Sequence, residues 1–168
     1  SGTMTFDVQD SAGATASKVL NMEVLAAASP PSAPVATNAT SVTETSFNAN
    51  WLASSEASNY RLDVATDSGF TSYVSGYSNL LTGNVTSMPI SGLSGGQTYY
   101  YRVRGQNSQG AGDNSETISV TTLPTAPSVL SATNITTTSF YANWSASYGA
   151  TNYFLDVATN SSFTVFVS

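Results

Sequence analysis

The sequence predicts an all-β chain, a tandem β-sandwich array in which one complete sandwich is flanked by two partial β-domains. Three observations predict it. Apolar and polar residues alternate along short stretches, which is the period of a half-buried strand. Clusters such as "ASSEASN", "GLSGGQ" and "NSQGAGDN" separate those stretches with turn-forming residues. The chain also repeats itself: shifted by 93 residues, positions 33–75 align without a gap on 126–168, and 26 of the 43 pairs are identical. Self-similarity at a fixed period marks an array of one structural unit. No helical period of useful length interrupts it.

The elements follow in order. Residues 2–25 alternate Met4, Phe6 and Val8, then Val19 or Leu20, Met22 and Val24, around the turn "DSAGA". This predicts one hairpin, and a lone hairpin is marginal in water. A proline-containing joint, "ASPPSAP", leads into the first copy, and "LPTAP" leads into the second. Proline restricts the backbone and removes donors, so adjacent units are expected to form an extended array. Within the first copy, strands are expected at 36–43, 46–52, 60–66, 73–75, 87–90, 98–106 and 117–122. Seven short strands in about 95 residues indicate a two-sheet sandwich. Its predicted core is Phe47, Trp51, Tyr60, Leu62, Val64, Leu93, Tyr99, Tyr101, Val103, Ile118 and Val120.

The second copy repeats "TSFNANW" as "TSFYANW" and is expected to hold three strands and part of a fourth. Nothing in it aligns with 76–123. The chain therefore reads as an excerpt from a longer array: a partial domain over 1–27, a complete one over 28–124 and an N-terminal half over 125–168. The favoured expectation is that a parent chain continues on both sides. The alternative is that a neighbouring molecule's hairpin, 3–8 with 19–24, covers Phe140, Trp144, Tyr153 and Leu155, which would build a head-to-tail filament.

Composition narrows the function. The 168 residues include no Cys and no His. That leaves no thiolate nucleophile, no Cys/His zinc site and no histidine base. The cations are Lys18, Arg61, Arg102 and Arg104 against a net charge of −6, too little basic surface for nucleic acid or an anionic membrane. No stretch approaches the roughly 20 apolar residues of a spanning helix, so no membrane insertion is expected. Ser and Thr make up about 30% of the chain, far above an ordinary domain, and build an uncharged polar surface.

No catalytic, cofactor or metal residue is expected. Asp63 and Asp67 lie four apart in or just after a strand, not on one helical face, and Asp67 is replaced by Asn160 in the second copy. Paired-carboxylate chemistry needs two acids held across a cleft. Asp7 and Asp10 beside the hairpin turn are too few for a calcium shell. The one candidate surface is a contact patch. Arg61, Asp63, Tyr100, Arg102 and Arg104 should share the outer face of one sheet, where cross-strand ion pairs and Arg–aromatic contacts are a sufficient structural explanation. Tyr141 and Phe154 stand where the first copy has Asn48 and Arg61, and outward aromatics there suggest a lateral contact.

Several motifs in the middle segment resemble the fibronectin type III family, in the Ser/Thr-rich form of bacterial surface and secreted proteins. Trp51 lies in the second strand. "LSGGQTYYYRVRGQN" resembles the family's Leu-x-Pro-x-x-x-Tyr approach to its sixth strand, with Gly95 in place of Pro and Tyr99 where the family has its tyrosine corner. "QGAGDN" occupies the loop where some relatives carry an integrin-binding tripeptide, but it lacks the Arg. "TFDVQDSAGATAS" resembles the last strands of bacterial immunoglobulin-like or cadherin-like domains. The resemblance implies a non-catalytic structural or adhesive segment of an extracellular or cell-surface bacterial repeat protein. The partners it implies are neighbouring domains or other copies of the protein, with surface glycans as a further class. The alternative is a carbohydrate-associated accessory module of a secreted glycoside hydrolase.

Overall fold

The computed structural model describes residues 2–22 and 29–167. Strands β1 (Gly2–Gln9) and β2 (Thr15–Met22) form an antiparallel hairpin. Asp10 closes its turn, accepting hydrogen bonds from the amides of Ala12 and Ala14, both at 2.9 Å. The register pairs Met4 with Leu20 and Phe6 with Lys18, while Val19 sits opposite Thr5. Directly paired residues share a face, so Leu20 and not Val19 continues the Met4–Phe6–Val8 stripe. Val24 lies outside the described residues. Both faces are open, with Phe6 and Val19 each more than half exposed.

The first copy is a two-sheet sandwich. One sheet has the order β3–β4–β7, from β3 (Val35–Thr40), β4 (Ser46–Leu52) and β7 (Ser87–Ser91). The other runs β10–β8–β5–β6, from β5 (Asn59–Ala65), β6 (Leu80–Gly83), β8 (Thr98–Asn107) and β10 (Ile118–Thr121). A two-residue strand, β9 (Gly110–Ala111), folds back on the end of β8. Strand β4 alternates without exception: Phe47, Ala49 and Trp51 are buried, and their neighbours are not. The same period runs along β8 through Tyr99, Tyr101, Val103 and Gly105. Of the predicted core all are buried except Ile118, which is half-buried against it.

The strand expected at 73–75 is not there. Tyr73 makes one isolated bridge to Ala65, and the edge strand is Leu80–Gly83 instead. The bonds that Val64 exchanges with Val74 and Tyr77 hold the intervening segment as a tight loop, and Asn79, at φ 55°, turns the chain into β6. Val74 and Tyr77 pack on the core from within that loop, while Tyr73 is exposed.

The second copy repeats the opening of the first in detail. Strands β11 (Val129–Thr133) and β12 (Tyr141–Trp144) pair with a register break at the place where β3 and β4 also have one. The Trp144 and Tyr153 rings stand 5.8 Å apart, against 5.7 Å for Trp51 and Tyr60. The amide of Ser147 donates to the Tyr153 hydroxyl at 2.7 Å, as Ser54 does to Tyr60 at 2.9 Å. Asn143 bonds back across its strand pair just as Asn50 does. The expected third strand does not form: residues 151–157 carry no ladder, and only a bridge joins Ala158 to Phe166. In the first copy the corresponding strand is bonded on both sides, by β6 and β8, and the second copy has no residues that align with either.

Candidate contact surface

Strands β5 and β8 bring the predicted patch together. Their register sets Asp63 opposite Arg102, Arg61 opposite Arg104 and Ala65 opposite Tyr100. The residues share a face, but they are not an open array of charges. Asp63, expected on a solvated face, is only 3% exposed. Its carboxylate accepts from Arg102 Nε at 3.1 Å and from the Asn79 amide at 2.6 Å, with Arg104 Nη2 at 3.6 Å. A buried carboxylate is tolerated when paired and hydrogen-bonded, and here two guanidinium groups form its cover. Arg104 also donates to Asn79 Oδ1 at 2.7 Å and Asn114 Oδ1 at 3.2 Å. Arg61 donates to Gln106 at 2.5 Å and to the Asn79 carbonyl at 3.2 Å.

Two residues that sequence reasoning missed complete the patch. Asn79 bonds to Asp63, Arg61 and Arg104 at once. Its left-handed backbone just before an edge strand is the kind of position Asn favours. Phe70, buried at the end of a tight loop, lies 4.0 Å beneath the Arg102 guanidinium. The Arg–aromatic contact expected on this face is made with Phe70. Tyr141 and Phe154 lie apart from these residues, on the second copy. Phe154 is almost fully exposed and Tyr141 about two-thirds exposed.

Asp67 is held in a turn. The amides of Gly69, Thr71 and Ser72 donate to it at 3.0, 3.1 and 2.7 Å, and those of Thr71 and Ser72 chiefly hold its pKa below the usual carboxylate value. In the second copy the neutral Asn160 caps the same loop, accepting from the Thr164 and Val165 amides. A loop that closes equally well around an amide needs no ionised acid. A groove of ≈ 730 Å³ at the junction of the two copies includes Glu44 in its lining and no second carboxylate. Among the described residues no group of three or more acids, histidines or cysteines is placed to hold a metal, and no helix is long and apolar enough to cross a membrane.

Near the end of the second sheet, the Ser94 amide donates to the Tyr99 hydroxyl at 2.9 Å, the bond of a tyrosine corner. Two sheets in this order, closed by that corner, define an immunoglobulin-like β-sandwich module. The family model described as "Fibronectin type III domain" matches residues 29–121, more than half of the chain, and the chain belongs to that family. Among solved structures, the sixth fibronectin type III domain of human fibronectin type III domain containing protein 3 is 28% identical. That alignment covers 60% of this chain and 93% of that one, with a TM-score of 0.50. A β-1,2-glucanase from Parabacteroides distasonis is similar at 21% identity over 68% of this chain and 16% of its own, with a TM-score of 0.47. A comparison with curated proteins finds no match. Domains of this family are generally non-catalytic modules.

Proposed function

We propose that the chain is a non-catalytic structural and adhesive segment of a long, secreted or cell-surface bacterial repeat protein. In this reading 1–27 ends an immunoglobulin-like unit, 28–124 is a complete module and 125–168 opens the next. Its work is mechanical: β-sandwiches in series hold something at a distance. Its partners are neighbouring units of the same protein or other copies of it, with nucleic acid and membrane insertion outside its role. The observation that supports this reading best is the duplicated architecture, in which a second copy reproduces the Trp–Tyr pair, the serine–tyrosine bond and the asparagine clamp of the first. The outer face points the same way, since its arginines are engaged with Asp63, Asn79, Asn114 and Gln106.

The test incubates the purified chain with panels of polysaccharides and peptides, with and without a chelator. The expected outcome is a folded protein in both conditions and no product. Turnover that disappears in Asp63→Asn or Asp67→Asn would overturn the reading. A second reading, a carbohydrate-associated accessory module of a secreted hydrolase, rests on the exposed rings of Tyr141 and Phe154, which suit stacking on sugar. It predicts glycan retention that Tyr141→Ala and Phe154→Ala both weaken.

A further inference from the structure

The two copies meet at a point where neither carries a side chain. Gly96 stands at φ +69° in the turn before β8, and Gly149 at φ +79° in the loop after β12. A Cβ on Gly149 would lie 2.6 Å from Gly96 Cα, and a Cβ on Gly96 would run into the Tyr148 carbonyl. Beside them, a Cβ on Gly95 would lie 2.8 Å from Thr125 Cγ2 and 3.0 Å from the Leu123 carbonyl. Real Cβ atoms do not come as close to backbone as those on Gly96 and Gly149 would, so backbone approaches backbone there because both positions are glycine, while at Gly95 a Cβ would press on the Thr125 methyl and sit tightly against the Leu123 carbonyl. The family resemblance puts proline at position 95, and the departure has a cause here: the connecting segment lies on it.

Hydrogen bonds tie that segment down on both sides. The Gly96 amide donates to the Leu123 carbonyl at 2.9 Å, and the Leu123 amide to the Thr43 carbonyl at 3.0 Å. From the second copy the Ser147 hydroxyl donates to the Thr125 carbonyl. Ser147 is 8% exposed, although most of its copy lies open.

The first copy supplies an internal control. The position matching Gly149 is Glu56, which holds the same left-handed backbone at φ 63° with a full side chain. The loop therefore does not demand glycine for its own conformation. What distinguishes position 149 is the neighbour it must approach.

We propose that Gly95, Gly96 and Gly149 form a side-chain-free seat that fixes the angle between consecutive units, making this junction a rigid joint and not a tether. The surface that fits the Gly95–Gly96 corner is the loop around Ser147–Gly149 of the following unit. This rests on the array reading above and adds its geometry.

The absence of native cysteine allows clean spin labelling of the whole chain at Ser119→Cys on β10 and Val129→Cys on β11, both exposed. Pulsed dipolar spectroscopy should give one narrow distance peak. Gly95→Ala, whose backbone is unstrained and whose methyl meets only the connecting segment, should shift or broaden that peak. Gly149→Asn should do the same, because asparagine tolerates the left-handed backbone but brings a Cβ. Glu56→Gly should leave the peak unchanged. A broad distribution in the parent chain, or a peak unmoved by both Gly95→Ala and Gly149→Asn, would overturn the joint. The array reading fails on a different readout, product release, so the two failures are distinguishable.

Discussion

Trp51 is the residue on which the sandwich turns. It is buried against Tyr60, and among the described residues its indole N–H has no hydrogen-bond partner. Truncation to Ala should cost about 3–5 kcal/mol in denaturant unfolding, as large aromatic truncations do. Trp51→Phe should cost clearly less, because it keeps a ring and removes a buried donor whose desolvation is itself worth about 1–3 kcal/mol. Equal losses would mean that the N–H is satisfied in solution.

Two groups make stability depend on pH. Burial pushes the Tyr101 phenol above its ordinary value, partly opposed by the Asn50 amide, and the phenol donates to the Thr37 carbonyl. A group with a raised folded-state pKa contributes stability that is present below about pH 10 and lost as pH rises through the folded value. Tyr101→Phe should therefore flatten the alkaline limb of a stability–pH curve. Asp67 has the opposite sign: its lowered pKa contributes stability above its ordinary value, lost as the pH falls through the folded one. Asp67→Asn should flatten the acid limb and keep the loop, as Asn160 does.

Strands β4 and β8 were legible because each buries one face against the opposite sheet, so their alternation is uninterrupted over several residues, and β5 was legible from its alternating Tyr60, Leu62 and Val64 although Asp63 between them is buried as well. The edge strands β3, β7 and β10 were legible too, but the edge strand β6 was not. Strand β6 has four residues and one pairing partner, and nothing in "LLTG" alternates. That Arg61, Asp63, Tyr100, Arg102 and Arg104 share a face was legible, but Asn79, Phe70 and the depth of Asp63 were not. Alternation put Asp63 outward correctly, but the groups that cover it are the arginines of β8 and the backbone amide of Asn79, sixteen residues further on. Asn79→Ala should leave the backbone N–H to Asp63 in place but remove the Oδ1 that accepts from Arg104, and it puts a residue less suited to the left-handed backbone at φ 55°. A lost hydrogen bond to a charged group costs about 1.5–3 kcal/mol at most, and the backbone strain adds to it, so the variant should lower the unfolding midpoint more than Asn114→Ala, which removes one exposed bond.

At the scale of the molecule, the repeat in the sequence became a repeat in space. The joint between copies was not legible, because a glycine required by a neighbour looks like a glycine required by a turn. The same repeat says where stability resides. In the first copy two sheets close over Phe47, Trp51, Tyr60 and Leu62. In the second, the matching Phe140, Trp144, Tyr153 and Leu155 are each more than a third exposed. A single closed sandwich, folded without metal, carries the fold of this chain. Hydrogen exchange on the whole chain in the presence of a chelator tests it most directly. The amides of β4, β5 and β8 should show long-lived protection, with fast exchange at the aligned positions of the second copy. Equal protection in both copies, or protection that collapses when metal is withdrawn, would contradict it.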